Sequence, residues 1–125
     1  MRVLIVDDDE VFGRLLVELL ADVGFGAVCI ADAVAAYELM TDNAFDLCII
    51  DQRMPSVVGA DWAEAILQNH PRLKIILASA FADQALRAYA MSKGMVLLSK
   101  PFTQAQLIEA VELALAEPVE TRRLY

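Results

Sequence analysis

Five side chains of this 125-residue sequence have more chemical potential than a structural role requires: Asp7, Asp8, Asp51, Ser79 and Lys100. Each closely follows a short apolar run. Asp7, Asp8 and Asp9 come after VLIV, Asp51 after LCII, Ser79 after IILA, and Lys100, ahead of Pro101, after VLLS. If those runs are strands of one open parallel sheet, their carboxyl ends gather these groups on a single edge, where such sheets bind ligands. Three carboxylates within ~6 Å of one another repel by roughly 3 kcal/mol per pair at an effective dielectric of 20. They must then hold protons or hold a cation. Hard oxygen ligands in a small acidic cluster suit Mg²⁺, which keeps several waters and bridges to phosphoryl oxygens. A carboxylate beside such an ion, with an ammonium and a hydroxyl nearby, is a competent phosphoryl acceptor. The carboxylate attacks, while the cations neutralise charge on the transferring group.

The elements that must position these groups can be read from hydrophobic spacing. Short, largely β-branched runs fall at residues 2–6, 27–30, 46–50, 74–77 and 95–98. Helical spacing fills the intervals. The first helix places Phe12, Leu15, Leu19 and Val23 on one stripe, opposite Arg14, Glu18 and Asp22, and stops near Gly24. Asp32 caps a second helix running towards Asn43. A third covers residues 61–69 and is stopped by His70-Pro71, because the residue before a proline is pushed out of helical geometry. A fourth spans 83–92, ending near Gly94, and a fifth begins near Thr103 with Leu107, Ile108, Val111 and Leu115 inward. Strands apolar at consecutive positions are covered on both faces. The expected fold is α/β, a doubly wound five-stranded parallel sheet with five helices. One domain is expected over residues 1–117, followed by a polar tail, 118–125.

Composition narrows the setting. Apolar residues make up 58% of the chain and charged ones 22%, which excludes a disordered chain. A formal net charge of -8 argues against direct contact with nucleic acid, whose sites need excess Lys and Arg. No apolar run approaches the ~20 residues that span a bilayer, and the first residues do not form a signal peptide. The two cysteines, Cys29 and Cys48, read as buried, inert thiols in a reducing compartment, so the expected location is cytoplasmic.

In their order and spacing, VLIVDDDE, IIDQRMPSVVG, the triplet ASA and LLSKPF resemble the receiver domain of a bacterial two-component response regulator, stand-alone or isolated from a larger one. The likeness covers Arg2 to about Ala116. It implies a flavodoxin-like fold with strand order 2-1-3-4-5, which would place the cysteine-bearing strands roughly 9.5 Å apart, beyond the reach of a disulfide. It implies Asp51 as phosphoacceptor, with Mg²⁺ held by Asp7, Asp8, Asp51 and the backbone carbonyl of Arg53. Ser79 would donate to a phosphoryl oxygen, and Lys100 would pair with the acyl phosphate ahead of a cis bond to Pro101. The chain would be a signalling domain rather than an enzyme acting on other substrates. Its partners would be a sensor histidine kinase or histidine phosphotransfer protein, and a downstream protein met through the fourth helix, fifth strand and fifth helix. On that fifth helix Leu113 falls outside the inward stripe.

One position departs from the family. Receivers commonly carry an aromatic residue three positions before the lysine, and here that residue is Leu97. Phe81, two residues beyond Ser79, reads either as a partial substitute in the switch or as an ordinary core or loop aromatic. Other readings assign the residues differently. Asp9 reads as a plain helix cap, and His70 as an exposed loop residue without phosphoryl chemistry. A phosphatase of the haloacid-dehalogenase type would use Asp7 as nucleophile and Asp9 as acid. It would also need an acidic pair on a strand after Lys100 and would leave Asp51 unexplained. A receiver-like binding module that is never phosphorylated has no need for the full set of chemical groups. A flavodoxin-type flavin site would want hydroxyls and backbone N–H groups where the aspartates stand.

Overall fold

A computed structural model describes residues 1–116; the tail expected at 118–125 lies outside the described residues. Strands and helices alternate: β1 (Arg2–Val6), α1 (Glu10–Ala21), β2 (Gly26–Ile30), α2 (Ala33–Asp42), β3 (Leu47–Asp51), α3 (Gly59–Asn69), β4 (Lys74–Ser79), α4 (Gln84–Lys93), β5 (Val96–Ser99) and α5 (Gln104–Leu115). The five strands form one sheet in the order β2-β1-β3-β4-β5, all pairs parallel. This is the doubly wound, flavodoxin-like arrangement expected from the sequence.

The central strands explain their own sequences. Val3, Leu4, Ile5 and Val6 of β1 are all fully buried, because side chains alternate between two faces and both faces are covered by helices. Val3 and Ile5 pack with Leu16, Leu20, Leu107 and Val111 from α1 and α5. Leu4 and Val6 pack with Ala36, Met40, Trp62 and Ile66 from α2 and α3. Each buried aliphatic side chain contributes about 1.5–3 kcal/mol. The Trp62 indole N–H also donates to the Ala33 carbonyl at 3.0 Å, tying α3 to the start of α2.

Helix ends follow the chain's polar punctuation. Asp9, Asp32, Asp83 and Thr103 cap α1, α2, α4 and α5 through their side chains. Gly94 closes α4 at φ 71°, a left-handed conformation that glycine adopts without a Cβ penalty. His70 caps the end of α3 at the edge of the sheet away from the aspartates and is half-buried rather than exposed as expected, because its backbone N–H closes the last turn on the Ile66 carbonyl.

The inward face of α1 differs from the expected stripe. Gly13, Leu16 and Leu20 are buried, while Leu15 and Val23 face solvent and Phe12 and Leu19 are half-buried. The pairs Leu15-Leu16 and Leu19-Leu20 offer two stripes one residue apart, and spacing alone cannot choose between them. Gly13 decides. A methyl group there would collide with Cys29 Sγ on β2, so this is the face on which the helix can approach the sheet.

Candidate functional site

The β1–α1 loop, the end of β3 and the β5–α5 loop meet at the carboxyl edge of the sheet. Lys100 Nζ lies 3.2 Å from Asp7 Oδ2 and 3.2 Å from Asp51 Oδ1, bridging two carboxylates far apart in sequence. Asp8 completes the acidic set: one ligand oxygen each from Asp7, Asp8 and Asp51 fall within 4.8 Å of one another. Opposite ligands of an octahedral Mg²⁺ stand about 4.2 Å apart, so these three carboxylates fit such an ion with small side-chain adjustments. Asp7 is buried, Asp51 half-buried and Asp8 exposed, which leaves the site open to solvent on the Asp8 side.

The residues are held from several directions. The Asp9 backbone N–H donates to Asp7 Oδ1 at 2.9 Å, while the Asp9 side chain accepts from Phe12 N–H at 3.0 Å as the cap of α1. Burial raises the Asp7 pKa above its ordinary value, and the Asp51 charge adds to this. The Asp9 N–H bond and the Lys100 charge oppose the rise without cancelling it. The Lys100–Pro101 peptide is cis, as expected. The Lys100 backbone N–H donates to the Ser79 carbonyl at 2.8 Å, and its ammonium sits 4.5 Å from the centre of the Phe12 ring. Phe12 thus supports the cation as well as packing α1. Its place in the turn after the aspartates was the only available signal of that role.

Ser79 is buried at the end of β4, and its Oγ accepts the Phe81 backbone N–H at 3.0 Å. Phe81 itself is 64% exposed. The Arg53 guanidinium lies 4.4 Å from the centre of its ring. Leu97 is half-buried on β5 and packs into the core on the α2–α3 face. Between α3 and α4 runs a cleft of about 430 Å³, lined among others by Arg53, Ser79, Phe81, Leu86 and Tyr89. The Tyr89 hydroxyl is buried, with no hydrogen-bond partner among the described residues. Burial, with the Glu64 carboxylate nearby, pushes that phenol up to about 12.

Gln52 was not foreseen. Val58 gives α3 no side-chain cap, and Gln52 Oε1 takes over by accepting Ala60 N–H at 2.9 Å. The Gly59 N–H donates to the Gln52 carbonyl at 2.9 Å. A Cβ on Gly59 would lie 2.9 Å from Gln52 Cα, so only glycine permits this approach. The α3 start is thereby fixed directly to the residue after Asp51. A helix without a capping residue in its own sequence was the available signal.

The rival readings fare differently. Among the described residues no strand follows Lys100, only α5, so the acidic pair required by a haloacid-dehalogenase phosphatase has no place. Cys48 is fully buried, but Cys29 is half-buried, a correction to the expectation for that thiol. It lies on the edge strand β2, where α1 covers it only in part. Burial raises both thiols, with Asp7 and Glu10 adding to the effect at Cys29. Among the described residues no helix is long and apolar enough to cross a membrane.

Comparison with known proteins agrees with this geometry. Residues 3–112 match the family described as the response regulator receiver domain. The response regulator receiver protein CpdR of Brucella abortus is 30% identical over 112 residues, covering 89% of this chain and 93% of that protein. The transcriptional regulatory protein CpxR of Escherichia coli is 31% identical over 91% of this chain, but the chain spans only 49% of that protein. The crystal structure of the response regulator protein TrrA from Thermotoga maritima, in complex with Mg²⁺-BeF, superposes with a TM-score of 0.78 at 28% identity. That match covers 89% of this chain and 96% of the other.

Proposed function

The chain belongs to the response regulator receiver domain family, and from that premise we propose that it is a phosphoaspartate switch in which Asp51 accepts a phosphoryl group from a sensor histidine kinase or a histidine phosphotransfer protein. An Asp51 carboxylate oxygen forms the new O–P bond as the P–N bond to the donor imidazole breaks. The bonding pair leaves with the imidazole nitrogen, which takes up a proton. Mg²⁺ held by Asp7, Asp8, Asp51 and the Arg53 backbone carbonyl supplies neutralisation of phosphoryl charge when bound. The Lys100 ammonium adds a second positive centre for the acyl phosphate, and the Ser79 hydroxyl donates to a phosphoryl oxygen.

The observation that carries this reading is the position of Lys100 Nζ, 3.2 Å from the carboxylates of both Asp7 and Asp51. It puts an ammonium between two carboxylates with a third close by, where it can meet negative charge added at Asp51. Phosphorylation adds charge and acceptor oxygens at Asp51. Ser79 meets them by giving up its bond from Phe81 N–H, which moves the β4–α4 loop and alters the surface of α4, β5 and α5. Phe81 takes part in that switch in place of an aromatic at Leu97. Leu113, 60% exposed on α5, belongs to the surface offered to the downstream partner.

Acetyl phosphate with Mg²⁺, followed by intact-mass measurement, tests the assignment. Wild type is expected to gain one alkali-labile phosphoryl group, and Asp51→Asn or wild type in excess chelator none. Equal labelling of Asp51→Asn overturns the role of Asp51.

A further inference from the structure

The contact between Arg53 and Phe81 joins two loops whose relation changes in the proposed switch. Arg53 stands two residues beyond Asp51 in the β3–α3 loop, and Phe81 two residues beyond Ser79 in the β4–α4 loop. The guanidinium rests 4.4 Å from the centre of an otherwise exposed ring, and the Phe81 N–H is the group that engages Ser79 Oγ. One residue therefore anchors the Ser79 hydroxyl through its backbone and is itself anchored by Arg53 through its ring. Both line the cleft that reaches back to Ala85, Leu86 and Tyr89, so a released ring has a neighbouring cleft with apolar side chains to enter. A phosphoryl group on Asp51, at the end of β3, places new negative charge two residues from Arg53, and attraction to it competes with the ring for the guanidinium.

We propose that the Arg53–Phe81 stack is a latch: it holds the β4–α4 loop in the unphosphorylated arrangement and opens when a phosphoryl group on Asp51 draws the guanidinium off the ring. The inference rests on the phosphoacceptor reading above. It makes Phe81 a positioning residue for Ser79 and gives the Arg53 side chain a role separate from its backbone carbonyl. Loss of the latch removes a cost of reaching the activated arrangement, so ligands selective for that arrangement bind more tightly.

Beryllofluoride, in saturating Mg²⁺, serves as the phosphoryl probe. Phe81→Leu is expected to bind it roughly two- to fivefold more tightly than wild type, the range set by an exposed cation–π contact. Without probe, the Ser79 amide resonance of this variant is expected to move towards its beryllofluoride-bound position. In an Arg53→Met background, Phe81→Leu is expected to add no further gain, since its partner is already gone. No gain in Phe81→Leu, or the same gain in both backgrounds, overturns the latch alone. Wild type that takes up no beryllofluoride overturns the phosphoacceptor reading and the latch with it.

Discussion

Asp7 bears the electrostatic cost of the site. Its carboxyl is buried and its pKa is raised, by burial first and by the Asp51 charge as well. A carboxylate with a raised folded-state pKa favours folding most below its unfolded value, near 3.8, and loses that contribution as pH rises through the folded value. Ionised Asp7 is therefore a net cost at neutral pH in the absence of metal. Asp7→Asn is expected to raise the melting temperature at pH 7 in chelator, because asparagine still accepts the Asp9 N–H. The advantage over wild type should shrink as pH falls towards 3.8, and a constant advantage across that range would contradict the assigned cause. The same variant should lose Mg²⁺ binding by calorimetry. Lys100 makes the opposite contribution. Its single positive charge is shared between Asp7 and Asp51, and it repels any divalent ion entering beside it. Lys100→Ala is expected to tighten Mg²⁺ severalfold while abolishing the shift of the Ser79 amide on beryllofluoride addition. Weaker Mg²⁺ binding in a folded variant would argue against a direct charge competition.

At the scale of elements, the start of α3 controls how rigidly Asp51 is presented. Gln52 supplies the helix with the cap that Val58 cannot. Gln52→Ala is expected to cost about 0.5–2 kcal/mol, the usual value of a lost N-terminal cap, measured by urea denaturation. Gly59→Ala should cost more, since the backbone of Gln52 cannot withdraw from a Cβ. A reversed order would mean that the loop, not the cap, yields. These two positions also show where sequence reasoning ran out. The strand runs, their parallel sense, the caps at Asp9 and Asp32, the helix starts near Asp83 and Thr103, and the meeting of Asp7, Asp8, Asp51 and Lys100 at one edge were all legible. Each follows from local spacing or from the rule that sheet ends collect function. The cap from Gln52, the Phe12 ring beside Lys100 and the stack of Arg53 on Phe81 were not, because each joins residues through the third dimension with no periodic trace in sequence. The α1 stripe failed for a related reason. Adjacent leucines made two faces equally apolar, and only the contact of Gly13 with Cys29 chose between them.

For the molecule as a whole, the two thiols report on different openings of one structure. Cys48 sits on β3, the central strand of the sheet, with no exposed surface, whereas Cys29 lies half-buried on the edge strand. A thiol reagent can meet Cys29 through a local movement of α1 away from β2, but Cys48 is reached only when the central sheet comes apart. Cys48 labelling therefore follows global unfolding, and anything that binds only the folded chain must slow it. An ion held by Asp7, Asp8 and Asp51 is such a ligand, because those carboxylates converge only once β1 and β3 are paired in the sheet. At a free Mg²⁺ concentration of about 100 times its dissociation constant the added stability is about 2.7 kcal/mol. Under conditions where reclosing outpaces labelling, Cys48 modification is expected to slow about a hundredfold. Cys29, exposed by local motion, should respond far less, and neither thiol should respond to Mg²⁺ in Asp7→Asn. Equal slowing of both thiols would mean that Cys29 too is reached only through global unfolding. An unchanged Cys48 rate in wild type would mean that the three aspartates do not hold the ion in the folded chain.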